Sequence, residues 1–133
     1  MSAQNLMAQD AGKLLRDIRG MRVFIAEDEF LVALALEDDL LSHGCTIVGP
    51  FTRLHDAKRA AALEEIDIAL LDINMNGQMA YPVADEFLSR GIPFIFLSGY
   101  GTAALPEAYR NTPRIPKPYD PGMLMKEIRR LIG

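Results

Sequence analysis

This 133-residue chain has little of what marks a secreted, membrane-inserted or nucleic-acid-binding protein. It has a single cysteine, Cys45, so no internal disulfide framework exists, and a reduced, cytoplasmic setting is the simplest reading. Lys and Arg number 14 against 18 Asp and Glu, a net charge of −4, which leaves no basic footprint for a nucleic acid. No apolar run approaches the roughly 18 residues of a membrane span, and the first residues lack the order of a secretory signal. The two histidines, His43 and His55, have no cysteine or second histidine at ligand spacing and read as surface residues. No glycine-rich loop follows the first apolar run, which argues against a dinucleotide site. There is no internal repeat and no low-complexity segment.

What is present is organised around Ile66-Asp67-Ile68-Ala69-Leu70-Leu71-Asp72-Ile73-Asn74. A short apolar run bounded by polar residues suits a strand buried on both faces of a parallel sheet. Asp72 then lies where the strand leaves the core, at the carboxyl edge, where open α/β sheets bind ligands. Alone, it reads as an ordinary loop acid at a strand end.

Similar runs lie on either side. Residues 21–26 form an apolar strand that ends in Glu27-Asp28-Glu29, three acids that repel one another unless solvent or a cation intervenes. This turn is either a solvated acidic corner at a helix N-terminus or a supply of carboxylate oxygens for a hard cation. Residues 30–43 follow as a helix in which Leu31, Leu34, Ala35, Leu41 and their neighbours form a broad apolar face, ended by Gly44. Residues 45–48 make a second strand, stopped by Gly49-Pro50. Thr52 is expected to cap a helix through Leu63, with Leu54, Ala57, Ala61 and Ala62 inward. Met75-Asn76-Gly77-Gln78 is a turn-rich loop, and Pro82 opens a helix that runs to Ser89. Residues 92–97 form a fourth strand ending at Ser98, and residues 103–109 allow only a short helix. Residues 113–118 make a weak last strand, placed at a sheet edge because Pro116 removes a ladder donor. Asp120 caps a final helix with Pro121 at its first position and Leu124, Ile128, Leu131 and Ile132 inward. Ahead of these elements, residues 1–20 form an extension in which Met7, Ala11, Leu14, Leu15 and Ile18 recur at helical spacing. It reads as an extra amphipathic helix, packed on the domain or serving a dimer or partner contact.

Five strands alternating with helices imply one α/β domain, residues 21–133, with a parallel sheet covered on both faces. If the strand ends share an edge, Glu27, Asp28, Asp72, Ser98 and Lys117 converge. The carboxylates suit a hard divalent cation, Mg²⁺ in particular. Asp72 is then placed as an aspartyl-phosphate nucleophile. The cation and Lys117 neutralise phosphoryl oxygens, and the Ser98 hydroxyl donates to another.

At these residues the chain resembles a response-regulator receiver domain. The matching pieces are Ala26-Glu27-Asp28, Leu70-Leu71-Asp72, Phe96-Leu97-Ser98-Gly99 and Pro116-Lys117-Pro118, in order and at strand ends. The resemblance implies a doubly wound, flavodoxin-like sheet of order 2-1-3-4-5 and phosphorylation of Asp72. It implies Mg²⁺ held by Asp28, Asp72 and the Asn74 backbone carbonyl, with Glu27 acting largely through water. Ser98 and Lys117 carry over as the phosphoryl-binding hydroxyl and ammonium, and the Lys117–Pro118 peptide as cis. Two departures stand out. Arg114 occupies the position, three before the lysine, where receivers commonly carry an aromatic switch residue, and Asn76 replaces the usual proline four residues after the acceptor. Phe96-Leu97-Ser98-Gly99-Tyr100-Gly101 is similar to the Phe-Ala-Thr-Gly-Tyr motif of the atypical FAT GUY receivers. These are mostly single-domain proteins of alphaproteobacteria, often working with HWE-type histidine kinases.

The expectation is thus a stand-alone, cytoplasmic receiver, monomeric or weakly dimeric. It accepts a phosphoryl group from a histidine kinase or a histidine phosphotransfer protein. Its output is binding of a downstream protein or drainage of phosphate from a shared kinase, and it is not an enzyme by role. A pseudo-receiver that binds partners without phosphorylation is the alternative. An aspartate phosphatase would want Asp-x-Asp after the first strand, where this chain has Glu27-Asp28-Glu29.

Overall fold

The computed structural model describes residues 17–99 and 104–133. The expected N-terminal helix falls mainly on residues 1–16, outside the described residues. Its described end, residues 17–20, is non-helical and sets Ile18 in the core.

The elements follow in the order β1 (Arg22–Ala26), α1 (Phe30–Ser42), β2 (Thr46–Phe51), α2 (Leu54–Leu63) and β3 (Ile68–Asp72). Next come a small hairpin of β4 (Asn74–Met75) and β5 (Gln78–Met79), then α3 (Tyr81–Arg90) and β6 (Phe94–Ser98). A 3₁₀ turn (Glu107–Tyr109), β7 (Arg114–Pro116) and α4 (Pro121–Ile132) complete the chain. The main sheet runs β2-β1-β3-β6-β7, all parallel, so its five strands stand in the expected order 2-1-3-4-5. All five residues of β3 and of β6 are buried, as continuous apolar runs in the middle of a doubly covered sheet must be.

The pleat divides the core in two. Phe24, Ala26, Ala69, Leu71, Phe94 and Phe96 face one layer, filled by Ala57, Ala60 and Ala61 of α2 and Val83, Ala84 and Phe87 of α3. Val23, Ile25, Ile68, Leu70, Ile95 and Leu97 face the other, against Leu36 and Leu40 of α1 and Leu124, Met125 and Ile128 of α4.

Several local expectations are corrected. In α1 the sheet-facing residues are Ala33, Leu36 and Leu40, while Leu31 is 76% exposed, Leu34 42% and Leu41 50%, with Ala35 also outward. The helix is apolar nearly all round at its N-terminal half, so periodicity alone does not choose its inner stripe. In α2, Ala60 is buried and Ala62 exposed, and the N-cap is Arg53 rather than Thr52, with no side-chain cap bond. Strand β2 continues through Gly49–Pro50, a cis peptide, to Phe51, with a register break opposite Phe24 and Ala26. Two conditions allow this. β2 is an edge strand, where a missing N–H is tolerated. Gly49 sits at φ 112°, where a Cβ would lie 2.8 Å from the Ile25 carbonyl oxygen. The loop after Asp72 is a hairpin, its turn made by Asn76 (φ 54°) and Gly77 (φ 84°), the Asn-Gly pair that tight hairpins favour. Between β6 and β7 the only described helical element is the 3₁₀ turn. The expected Asp120 cap is present, its Oδ1 accepting from the Gly122 and Met123 amides at 2.8 and 3.4 Å.

The orientation of α1 is directly testable. Leu36→Ala should lower unfolding free energy by about 2–5 kcal/mol, whereas Leu31→Ala should stay within about 0.5 kcal/mol of the parent, both read by urea denaturation. Comparable losses at the two positions would contradict the orientation described.

Candidate functional site

The carboxyl ends of β1, β3, β6 and β7 bring Glu27 and Asp28, Asp72, Ser98 and Lys117 to one edge, as the strand pattern implied. Asp72 is the last residue of β3 and pairs in register with Leu97, so Ser98 stands one residue further along the neighbouring strand. Ser98 is buried, and its carbonyl oxygen accepts from the Lys117 amide at 2.7 Å. The Lys117–Pro118 peptide is cis.

The Lys117 ammonium is the centre of the arrangement. Its side chain is only 10% exposed, and Nζ donates to Glu29 Oε1 at 2.8 Å, Asp72 Oδ2 at 3.1 Å and Glu27 at 3.2 and 3.3 Å. Oxygens of Glu27, Asp28, Glu29 and Asp72 lie within 4.8 Å of one another. Glu29, one of the three acids read as possible cation donors, is also a partner of Lys117, a bond that strand-end reasoning does not indicate. It is the N-cap residue of α1 but makes no cap bond with its side chain, and its carboxylate reaches Lys117 instead.

Backbone amides fix the remaining oxygens. The Asn74 N–H donates to Asp72 Oδ1 at 3.1 Å, and the Asn76 N–H donates to Asp28 Oδ2 at 2.8 Å. The Glu29 N–H donates to Glu27 Oε1 at 3.0 Å. The Asn74 side chain accepts from the Gly77 amide at 2.8 Å, so the hairpin turn is braced by a residue two beyond Asp72. The hairpin therefore supplies the amides that aim Asp28 and Asp72.

Charge is unevenly compensated. Burial pushes Glu27 up from an ordinary 4.5 to about 8, and the nearby Asp72 charge adds to this. Burial also raises Asp72, helped by its hydrogen bond with Asp28. Asp28 is held low, because its bonds with Asp72 and the Asn76 amide outweigh desolvation. Burial works against the Lys117 charge, but Glu29, Asp72 and Glu27 more than offset it and raise its proton affinity. Several hard oxygen donors crowded around one ammonium, two of them biased toward protonation, suit a hard divalent cation.

No family model matches the chain. The transcriptional regulatory protein PdtaR of Mycobacterium tuberculosis, in strains CDC 1551 and H37Rv, is 32% identical over 91 residues, 68% of this chain and 44% of that protein. The chain thus spans less than half the length of these curated relatives. The solution structure of SdrG from Sphingomonas melonis Fr1 superposes with a TM-score of 0.76 at 31% identity, covering 86% of this chain and 98% of that one. The response regulator PhyR from Brucella abortus superposes with a TM-score of 0.73 at 26% identity, over 97% of this chain and 54% of that one. Among the described residues, no helix is long and apolar enough to cross a membrane.

The buried carboxyls set a pH dependence. Between about 4.5 and 8 the folded protein keeps a proton on Glu27 that the unfolded chain has released, so stability falls as pH rises through that window. Asp72 acts with the same sign. Lys117, raised from an already basic value, and Asp28, lowered from an acidic one, act outside the window. Urea denaturation in EDTA should therefore give lower stability at pH 8 than at pH 5.5, and Glu27→Gln should flatten the difference. An unchanged slope in the variant would remove Glu27 as its source.

Proposed function

The chain belongs to the response-regulator receiver family, and on that premise we propose that Asp72 accepts a phosphoryl group from a phosphohistidine. The observation that carries this reading is the Lys117 ammonium bonded at once to Asp72, Glu27 and Glu29, with Asp28 adjoining. In the transfer, an Asp72 carboxylate oxygen forms a bond to phosphorus as the donor's N–P bond breaks. The bonding pair leaves with the imidazole, which departs neutral because its other ring nitrogen carries a proton. Asp28, Asp72 and the Asn74 carbonyl are the residues for Mg²⁺, with Glu27 supporting it through water. A bound Mg²⁺ supplies positive charge to the phosphoryl oxygens. Lys117 turns from Glu29 to an oxygen of the transferred group, at small cost because the Glu29 side chain is largely exposed and readily solvated. Ser98, buried at the end of β6, donates its hydroxyl to another.

The donor is a sensor histidine kinase, of the HWE type if the FAT GUY resemblance extends to partners, or a histidine phosphotransfer protein. The outward apolar face of α1, with Phe30 71% and Leu31 76% exposed immediately after Glu29, offers such a donor an apolar contact at the rim of the site. The phosphorylated form then binds a downstream protein, or its formation drains phosphate from a shared donor. The role is signalling, with the chain's own chemistry limited to phosphotransfer and dephosphorylation.

Intact-mass measurement after incubation with acetyl phosphate and Mg²⁺ should show a single phosphoryl adduct. It should be lost in Asp72→Asn and in EDTA. An adduct that persists in Asp72→Asn would remove Asp72 from the role. Absence of label from both acetyl phosphate and a phosphorylated histidine kinase would leave the interaction-module reading as the better one. Lys117→Ala should still bind Mg²⁺, as read by calorimetry, because its Nζ shares the carboxylates without holding the cation. It should lose most of the change in amide exchange that phosphorylation produces. Equal loss of both would contradict the role given to the ammonium.

A further inference from the structure

Arg114 leaves β7 without an aromatic side chain three residues before Lys117, yet the segment leading into β7 places one in the core. Tyr109, in the 3₁₀ turn, is 4% exposed. Its ring stacks on Tyr81 with centroids 5.2 Å apart and planes within 10°. It meets Phe96 edge-on at 5.7 Å and Phe94 at 6.4 Å. Its hydroxyl donates to the Asp85 carboxylate and lies 3.3 Å from the Tyr81 carbonyl oxygen. One side chain thus ties its own segment to two elements, α3 and β6.

Both elements reach the acidic edge. Tyr81 opens α3 directly after the hairpin that aims Asp72 and Asp28. Phe96 lies two residues before Ser98 on β6. The segment that bears Tyr109 carries the chain on to Arg114 and hence to Lys117. A neutral hydroxyl bonded to a carboxylate is a strong contact for one side chain, and stacked rings add to it. The 3₁₀ turn itself has little else to hold it: Glu107 and Ala108 are exposed, and so is Arg110 after it. Among the described residues, its backbone bonds run within residues 106–112.

We infer that Tyr109 is a positioning residue whose clasp on Tyr81 and Asp85 couples Ser98 to the surface formed by residues 104–113. Engagement of a phosphoryl oxygen by Ser98 shifts the end of β6, and with it Phe96 under the Tyr109 ring. The clasp then opens and the segment is freed to meet a partner. This inference rests on the phosphoacceptor reading of Asp72 and Ser98. It puts the coupling in an aromatic residue outside the strand that carries Lys117.

The test is amide hydrogen exchange of residues 104–113 in the full chain, before and after phosphorylation, in the parent, Tyr109→Phe and Asp85→Asn. In the unmodified protein, Tyr109→Phe keeps the rings but loses the bond to a charged acceptor, so exchange there should rise about tenfold. Asp85→Asn should raise it less, since an amide oxygen still accepts. Phosphorylation should speed exchange in the parent and change it much less in Tyr109→Phe, a difference that a purely structural role would not remove. Exchange unaltered by Tyr109→Phe, or an equal phosphorylation response in parent and variant, would overturn the inference. Failure of the acceptor reading would appear instead as no adduct in any of the three proteins. The comparison of unmodified proteins would then show whether the clasp holds the segment, and the coupling to Ser98 would fall.

Discussion

The rest of the molecule is arranged around one ammonium that must serve several carboxylates. Glu27 and Asp72 are taken out of water by strands covered on both faces, and a buried carboxylate without compensation is costly. Lys117 reaches both, together with Glu29, from the far edge of the sheet. That contact depends on the parallel order β2-β1-β3-β6-β7, which brings β1, β3 and β7 to end at the same edge. The compensation is incomplete, as the upward displacement of Glu27 and Asp72 indicates. Such a site is held ready for further positive charge, and a cation bound there would relieve what the fold leaves unbalanced.

The surroundings of the cluster differ in rigidity for physical reasons. Asp28 and Asp72 are aimed by amides of a hairpin whose Asn-Gly turn admits positive φ at both residues. Glu29, Phe30 and Leu31 are open to solvent, so this side of the site can rearrange cheaply. Behind the sheet edge, the Phe94, Phe96, Tyr81 and Tyr109 rings form a continuous packed group. Close packing of this kind transmits small displacements rather than absorbing them.

Much of this was legible in the sequence, and what was not has a physical reason. Strands β3 and β6 are readable because burial on both faces demands unbroken apolar runs, and their polar ends mark the functional edge. The Asp120 cap and the Pro82 helix start follow from backbone chemistry alone and stand where expected. The inner stripe of α1 has no signature of its own, since Leu31, Leu34, Leu36, Leu40 and Leu41 are all apolar and only the sheet decides that Leu36 and Leu40 are buried. The bond from Glu29 to Lys117 joins residues 88 apart, and the Tyr81–Tyr109 stack bridges a helix and a 3₁₀ turn. Neither has a local signature. An exposed Glu beside a helix N-terminus and a Tyr in a short irregular segment both look ordinary until the fold brings their partners to them.

The central claim is that this edge makes Asp72 a phosphoacceptor, and the most direct measurement identifies the bond itself. Protein labelled with acetyl phosphate and Mg²⁺ is reduced with borohydride, which converts an aspartyl phosphate to homoserine, and is then mapped by peptide mass spectrometry. The account predicts homoserine at position 72 and at no other aspartate. Homoserine at Asp28, or a phosphoryl adduct that yields none, would contradict it.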